Sequence, residues 1–172
     1  MKNRIFVIDG SSYLYRAYHA MPPLSTSSGQ PTGAVKGVTN MLMNLKKDSE
    51  GSPIIVVFDA KGKTFRSDIY SEYKANRPPM PDDLRDQLAP VKSICRAIGF
   101  PLIEIEGVEA DDVIATISKM AKKAKYKCVI SSLDKDLMQL VEDPHISMMD
   151  TMKHKIFNEE SVFEKFGVKP NQ

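Results

Sequence analysis

The sequence is short of the residues that mark secreted, zinc-binding and membrane-spanning proteins. Its 172 residues include no tryptophan, and the two cysteines, Cys95 and Cys128, do not form a CxxC pair. A disulfide framework and a cysteine-based zinc site are therefore poorly supported. No apolar run approaches the ~20 residues needed to cross a bilayer, and no signal-peptide pattern opens the chain. We expect a reduced, cytoplasmic protein without a membrane partner.

An excess of charge of one sign is also lacking. The 24 basic and 22 acidic residues leave a formal charge of only +2, so net charge by itself does not predict binding to nucleic acid. Hydrophobic residues make up 42% of the chain, which is enough to fill a proper core. The length fits one α/β domain, and we expect residues 1–172 to form a single domain.

Short apolar runs alternate with longer segments of helical periodicity. Residues 5–8 and 54–58 are continuous apolar runs, which predict strands covered on both faces. Residues 111–124 predict a helix whose inward side chains include Met120 and Ala124. This alternation predicts a doubly wound, mainly parallel α/β sheet with helices on both faces. The other predicted elements are helices after Ser12, Thr32 and Asn158 and over 84–98, and strands at 102–105, 128–130 and 146–149.

Acidic residues follow three of the predicted strands. Asp9 comes directly after the first strand, Asp59 after the second, and Asp134 shortly after the sequence CVISS. In an open α/β sheet the carboxyl ends of the strands form the ligand-binding crevice, so these side chains should meet in space. Four more acidic residues, in the sequences GVEADD and DKD, are expected at the same edge: Glu109, Asp111, Asp112 and Asp136.

Seven carboxylates in one crevice would repel one another, and their pKa values would rise until some were neutralised. Hard divalent cations with oxygen ligands remove that repulsion, and Mg²⁺ or Mn²⁺ suits such a site. Two such ions ~4 Å apart can activate a water molecule and stabilise the leaving oxygen of a phosphodiester. None of the three histidines stands in a ligand or acid–base pattern, which favours magnesium over zinc.

Five of the seven acidic residues also have an ordinary structural explanation. Asp111 and Asp112 suit the start of a helix, where the helix dipole favours negative charge. Asp9 before Gly-Ser-Ser fits a turn, and the two aspartates of DKD fit a solvated loop. Their shared placement at the ends of predicted parallel strands favours a metal site over these separate explanations.

A basic and aromatic stretch, KGKTFRSDIYSEYKANR, follows Asp59. Its five basic residues outnumber its two acidic residues, and three aromatic residues are interleaved. Basic side chains neutralise phosphates, and aromatic rings stack on unpaired bases. A solvated, charged helix or loop would have the same composition, but the position beside the acidic edge favours contact with nucleic acid. The residues concerned are Lys61, Lys63, Phe65, Arg66, Tyr70, Tyr73, Lys74 and Arg77.

Four stretches of the chain resemble a known family. FVIDGSSYLYRAYHA, VVFDAKGKTFRSDIYSEYKANRPPMPDDLR, GVEADDVIATI and DKDLMQLV are similar to the 5′ nuclease domains of bacterial DNA polymerases I, in the flap endonuclease family with its PIN-like fold. The resemblance covers essentially the whole chain. It implies a metal-dependent 5′–3′ exonuclease and 5′-flap endonuclease that removes primers and flaps from DNA in replication and repair, in the bacterial nucleoid. A longer parent chain with a polymerase is compatible with it.

The resemblance also implies roles for particular residues. Two Mg²⁺ or Mn²⁺ ions are expected, the first near Asp9, Asp59, Glu109 and Asp111 with Asp112 in support, and the second near Asp134 and Asp136. Residues 61–83 correspond to the family's arch and are called the arch segment below. Lys74 and Arg77 resemble its catalytic cations, and the expected DNA contacts are Arg16, Lys63, Phe65, Arg66, Tyr73, Lys74 and Arg77.

Two departures from the family pattern matter. Leu133 stands where the family usually has a glycine before DKD, so the turn that aims Asp134 is expected to differ. Family members also continue beyond the position of Gln172 into another acidic pair and a helix-hairpin-helix element, which we expect this chain to lack. Cleavage by the chain itself is therefore expected to be feeble, and a weak or inactive DNA-binding fragment is an open alternative.

Three further classes of protein share part of the pattern. A receiver domain needs one phosphorylatable aspartate and has no use for the basic stretch. A haloacid-dehalogenase-type phosphatase needs a second aspartate two residues after Asp9, where Ser11 stands. A PIN-type ribonuclease shares the acidic core but normally lacks so long a basic stretch, and it is the remaining catalytic alternative.

Overall fold

The computed structural model describes residues 3–150 and 155–172. The strands are β1 (Arg4–Asp9), β2 (Ile54–Val57), β3 (Leu102–Ile103), β4 (Lys127–Ser131), β5 (Ile146–Asp150) and β6 (Lys155–Phe157). The helices are α1 (Gly10–Ala20), α2 (Gly33–Asp48), α3 (Phe65–Ile69), α4 (Asp82–Ile98), α5 (Ala110–Lys123) and α6 (Glu159–Phe166). A 3₁₀ helix, Lys135–Leu140, lies between β4 and β5.

The strands form one sheet in the order β3-β2-β1-β4-β5-β6. All neighbouring strands pair in parallel except β5 and β6, which are antiparallel. The predicted mainly parallel α/β sheet is therefore confirmed. The antiparallel edge strand β6 and the short helix α3 were not predicted, and β3 is shorter than the predicted 102–105. Within the described part of the chain, no helix has the length and apolar character needed to span a membrane.

Helices cover both faces of the sheet, as predicted. On one face, Phe6 and Ile8 of β1 pack in a cluster with Leu14, Leu42 and Leu84 from α1, α2 and α4. On the other face, alternate strand residues such as Val7 pack with residues of α5, the 3₁₀ helix and α6. Successive side chains of a strand point to opposite faces, so the central strands must be apolar throughout. This explains why they read as continuous apolar runs.

The predicted inward face of α5 is wrong at its C-terminal end. Met120 is 64% exposed, and Ala124 lies outside the helix and is exposed. Ile114 and Ala121 are buried instead. Helical periodicity fixed the spacing of the apolar residues, but the contact with the sheet selected a stripe about one position away from the predicted one.

A close packing contact lies at the junction of β1 and α1. A Cβ atom at Gly10 would come within 2.6 Å of the ring of Phe58, which immediately precedes Asp59. Glycine therefore lets α1 begin directly after Asp9 while Phe58 packs against its first residue. The pairing of β1 with β2 extends to Asp9 and Val57, so Asp9 and Asp59 lie beside this contact.

We expect Gly10→Ala to lower the free energy of unfolding by about 1–3 kcal/mol, because the added methyl group overpacks the contact with Phe58. Urea unfolding followed by circular dichroism measures the change. The double variant Gly10→Ala/Phe58→Leu should lose less than the sum of the two single variants, since the smaller side chain makes room. Additive losses would show that the Phe58 ring is not what excludes a larger side chain at position 10.

Candidate active site

A cavity of about 700 Å³ opens at the carboxyl edge of the sheet. It brings together six of the seven acidic residues singled out from the sequence and four of the basic or aromatic ones. The acidic residues are Asp9, Asp59, Glu109, Asp111, Asp134 and Asp136, and the others are Arg16, Tyr73, Lys74 and Arg77. Residues far apart in the chain meet here because parallel strands deliver their carboxyl ends to one edge of the sheet.

Serine and backbone donors orient the first two carboxylates. Asp9 is only 4% exposed, and it accepts hydrogen bonds from the Ser12 backbone N–H (2.9 Å) and the Ser132 hydroxyl (2.7 Å). Asp59 accepts hydrogen bonds from the Ser11 hydroxyl (2.7 Å) and the Ala110 backbone N–H (2.9 Å). The bond to Ser12 makes Asp9 the N-cap of α1, a common way to satisfy a free helical N–H.

The turn after β4 aims the DKD sequence at the cavity. Asp134 accepts a hydrogen bond from the backbone N–H of Asp136 (2.9 Å) and caps the 3₁₀ helix. Its own N–H donates to the Ser132 hydroxyl at 3.0 Å. Leu133 has no positive φ, so the turn does not require a glycine at this position. Leucine therefore fits this turn without backbone strain.

Asp111 shows the electrostatic character of the cavity. Its pKa is raised to about 6, mainly by burial and then by the charges of Asp9, Asp134 and Asp59, against the opposing charge of Lys74. Among the described residues, none donates a hydrogen bond to its carboxylate. Burial also raises the pKa of Asp9, against the lowering effect of its two hydrogen bonds. Asp111 thus lies among like charges without a hydrogen-bond donor from the described residues to offset them.

This donor set fits a hard divalent cation, which prefers carboxylate oxygens and lowers the repulsion between them. Within residues 3–150 and 155–172, however, no three histidine, cysteine, aspartate or glutamate side chains form a ready-made group for a metal ion. The carboxylates therefore share a cavity without forming a coordination shell. Side-chain rotation would be needed to bring several of them onto one ion.

Glu109, which lines the cavity, binds residues of the arch segment. It is 7% exposed and accepts hydrogen bonds from the Lys74 ammonium (2.7 Å) and the Tyr73 hydroxyl (3.1 Å). A third donor group, the Arg66 guanidinium, lies 3.6 Å away. Arg66 also pairs through both terminal nitrogens with the two oxygens of Asp112, one of them at 2.8 Å. The arch segment is thus anchored to the start of α5.

Asp112, predicted in support of the first metal site, lies apart from the other acidic residues. Asp112 does not line the cavity, and its hydrogen bonds with Arg66 are the main reason that its pKa is lowered. Asp111 and Asp112 are adjacent at the start of α5, so their side chains point about 100° apart around the helix and only one faces the cavity. Asp112 instead holds Arg66 in place.

Three of the predicted DNA contacts also lie outside the cavity. The Arg66 guanidinium is engaged by Asp112 and Glu109 and lies over the Phe65 ring, 4.7 Å from its centroid. Lys63 is exposed on the arch segment and, like Phe65, does not line the cavity. In this arrangement Arg66 and Phe65 stabilise the base of the arch segment.

Several residues of the site were missed in the sequence. The hydroxyls of Ser11, Ser12 and Ser132 orient the carboxylates or their turns. Asp150 lies at the carboxyl end of β5 and binds Arg16, with a distance of 3.1 Å between Nη1 and Oδ1. The rule that found the other strand-end acids also applies to Asp150, but the predicted strand stopped one residue earlier.

The fold and the cavity together define an α/β domain with an acidic site, suited to a cation, at the carboxyl edge of a mainly parallel sheet. Residues 4–167 match the family model described as 5′–3′ exonuclease, N-terminal resolvase-like domain. The chain belongs to this family.

Individual relatives agree with the family model. The chain is 57% identical over 166 residues to a DNA polymerase I of Pseudomonas aeruginosa, covering 96% of this chain and 18% of that protein. It is 44% identical over 168 residues to a 5′–3′ exonuclease of Aquifex aeolicus, covering 98% of this chain and 58% of that protein. The chain therefore spans less than two thirds of each.

A solved structure supports the fold. The bacteriophage T5 flap endonuclease, in a pseudo-enzyme-product complex with DNA and metal ions, superposes with a TM-score of 0.76 at 24% identity. The alignment covers 96% of this chain and 61% of that one. At this identity the likeness establishes a shared PIN-like fold.

Asp111→Asn should stabilise the chain at neutral pH when no divalent cation is added. The folded-state pKa of Asp111, about 6, lies above its ordinary value of 3.8. Protonation of Asp111 therefore contributes stability that is fully present below pH 3.8 and is lost as the pH rises through about 6. Asparagine does not ionise, so the variant does not lose stability in this way. After allowance for solvent screening, we expect the free energy of unfolding of the variant to be about 1 kcal/mol higher near pH 7 and unchanged near pH 3.5.

Urea unfolding at several pH values, in the presence of a chelator, measures this difference. Asp86→Asn is the matched control, because Asp86 is exposed on α4 and lies outside the cavity. A gain of the same size for both variants, or a gain for Asp111→Asn that does not depend on pH, would contradict the account of crowded carboxylates.

Proposed function

We propose that this chain is a divalent-metal-dependent nuclease that hydrolyses phosphodiester bonds in DNA at 5′ ends or 5′ flaps. The observation that carries the proposal is the meeting of six carboxylates with Lys74 and Arg77 in one cavity of a domain that belongs to the 5′–3′ exonuclease family. Carboxylates suit the cations that such hydrolysis needs, and basic side chains suit a phosphate.

The proposed cations are Mg²⁺ or Mn²⁺, in two sites. Asp9, Asp59, Glu109 and Asp111 would hold the first ion, and Asp134 and Asp136 would hold the second. When bound, such ions lower the pKa of a water molecule and neutralise charge on the attacking and leaving oxygens. Asp9 and Asp59 are suited to this task because their serine and backbone donors orient them in advance.

The basic side chains of the cavity would position the phosphate. No described residue binds the Arg77 guanidinium, which lines the cavity and is available to an anion. Lys74 lies next to it, and the charge of Arg77 acts on the Lys74 ammonium. Preorganised cations of this kind stabilise negative charge that develops in a transition state. The Tyr73 ring, beside Lys74, supplies a face on which an unpaired base can stack.

The biological setting is part of the same proposal. Removal of primers and flaps in DNA replication and repair, in the bacterial nucleoid, suits a relative of a DNA polymerase I and of a 5′–3′ exonuclease. The preference for a 5′ flap draws on the structural neighbour, which is a flap endonuclease solved with DNA. A polymerase on the same polypeptide is compatible with the Pseudomonas relative.

A second candidate function is DNA binding without efficient cleavage. One observation favours it: the described residues form no ready-made group of metal ligands, while Arg77 and the aromatic rings at the cavity can still contact DNA. The two functions differ in what a divalent cation does. A nuclease requires the cation for product formation, whereas a binding module retains DNA equally well with a chelator.

The direct test incubates the chain with a labelled 5′-flap DNA in Mg²⁺, in Mn²⁺ and in a chelator, at low salt. We expect 5′ products only with a divalent cation, and none from Asp9→Asn. A matched single-stranded RNA tests the PIN-type ribonuclease alternative. Binding without products in every cation would support the second candidate, and cleavage in the chelator would contradict a metal-dependent mechanism.

Lys74→Ala should lower the single-turnover cleavage rate by about 100-fold, because it removes a cation that acts on developing charge. The dissociation constant for the same DNA should rise by no more than about fivefold, since one phosphate contact among several is lost. Lys92→Ala is the control, because Lys92 pairs with Glu104 outside the cavity. Equal losses in rate and in binding would reduce Lys74 to a general phosphate contact.

A further inference from the structure

Glu109 already has hydrogen-bond and ion-pair partners within the protein. The Lys74 ammonium and the Tyr73 hydroxyl donate to different oxygens of Glu109, at 2.7 and 3.1 Å, and the Arg66 guanidinium lies at 3.6 Å. All three donors belong to the arch segment, and Glu109 is 7% exposed. The contact between Tyr73, Lys74 and Glu109 is called the latch below.

The latch separates two cavities. A second cavity, of about 250 Å³, lies beside the large one and reaches Gly62, Thr64 and Ser67 of the arch segment. The residues that line both cavities are Asp59, Tyr73, Lys74, Arg77 and Glu109. Three of these five residues make up the latch, so the latch forms much of the wall between the cavities. Movement of Tyr73 and Lys74 away from Glu109 would join them.

The backbone at the latch favours such movement. Lys74 has φ 57°, in the left-handed region that side-chain-bearing residues seldom adopt. It lies in a turn held by short-range backbone bonds, from Tyr73 to Tyr70 and from Arg77 to Lys74. The contacts with Glu109 must offset the strain at Lys74. Loss of those contacts therefore leaves the turn to its short-range backbone bonds alone, with the strain at Lys74 no longer offset.

We propose that Lys74 is a built-in counter-ion of Glu109 and that a divalent cation displaces it, so that cation binding releases residues 73–77 and joins the two cavities. This inference rests on the proposed function, because it takes the large cavity to be the cation site. A divalent ion carries twice the charge of the ammonium and attracts several carboxylates at once. Lys74 and the ion also repel each other, so they would not bind Glu109 at the same time.

The competition works in both directions. If cation binding opens the latch, then the closed latch weakens cation binding by the same factor. The arch segment would thus stay closed over Glu109 until the site is loaded with its ion. Lys74 would then become free to approach a phosphate only when the cation is present.

The first measurement titrates Ca²⁺ into the chain without DNA. Calorimetry follows binding, and NMR follows solvent exchange of the backbone amides of residues 73–77. We expect exchange at these amides to accelerate several-fold, with a midpoint that matches the calorimetric one. The amides of α4, which lies outside both cavities, serve as the internal reference.

The second measurement compares the Ca²⁺ affinity of two pairs of variants. Tyr73→Phe removes one donor to Glu109 without changing charge, and Tyr70→Phe is its control, because the Tyr70 hydroxyl donates to the exposed Glu72. Lys74→Met removes the ammonium, and Arg77→Met removes a neighbouring cation that does not bind Glu109. We expect tighter binding for Tyr73→Phe than for Tyr70→Phe, and about tenfold tighter binding for Lys74→Met than for Arg77→Met.

The outcomes separate the latch from the metal site. If Ca²⁺ binds while residues 73–77 keep their exchange rates, or if each variant matches its control, the latch is overturned and the metal site stands. If Ca²⁺ does not bind at millimolar concentrations, both the latch and the metal site are overturned. Faster exchange together with the two affinity differences supports the latch.

Discussion

Repulsion between carboxylates is the constraint on which the rest of this structure depends. Parallel strands deliver Asp9, Asp59 and Asp134 to one edge of the sheet, and the start of α5 adds Asp111. Burial and the mutual charge of these groups raise the pKa values of Asp9 and Asp111. A fold that did not need this cluster would be more stable without it, so the cluster indicates a cation-dependent function.

Two sets of contacts hold the cluster together. Serine hydroxyls and backbone N–H groups orient Asp9 and Asp59 from within the sheet edge. The arch segment contributes positive charge from outside, through Lys74 on Glu109 and Arg66 on Asp112. The first set is built into the ends of strands and helices, which are rigid. Within the second set, Lys74 belongs to a turn and has a strained backbone, so its contact with Glu109 is the part that can change.

The sequence predicted the sheet and most of the site, for identifiable reasons. Continuous apolar runs mark strands buried on both faces, and an acidic residue directly after such a run must lie at the carboxyl edge. Local patterns could not show which of two adjacent aspartates faces the cavity, because that depends on how α5 is rotated against the sheet. This is why Asp112 was grouped with the cavity carboxylates and Met120 was wrongly placed inward.

Other features depend on contacts between distant parts of the chain. The bond between Lys74 and Glu109 joins residues 35 positions apart, and the bond between Arg16 and Asp150 joins residues 134 positions apart. The sequence indicated that these residues carry charge near the site, but not that they neutralise one another. Arg66 and Lys74 of the arch segment therefore looked more available to DNA than the structure makes them, whereas no described residue binds the Arg77 guanidinium.

Calorimetric titration with Mn²⁺, in buffers of different ionisation enthalpy, tests the central claim that the crowded carboxylates form a cation site. Because the pKa of Asp111 is about 6, a cation that binds its carboxylate must displace a proton near that pH. We expect saturable binding with release of a fraction of a proton near pH 6, and almost none near pH 8. Absence of binding, or binding without proton release near pH 6, would contradict it.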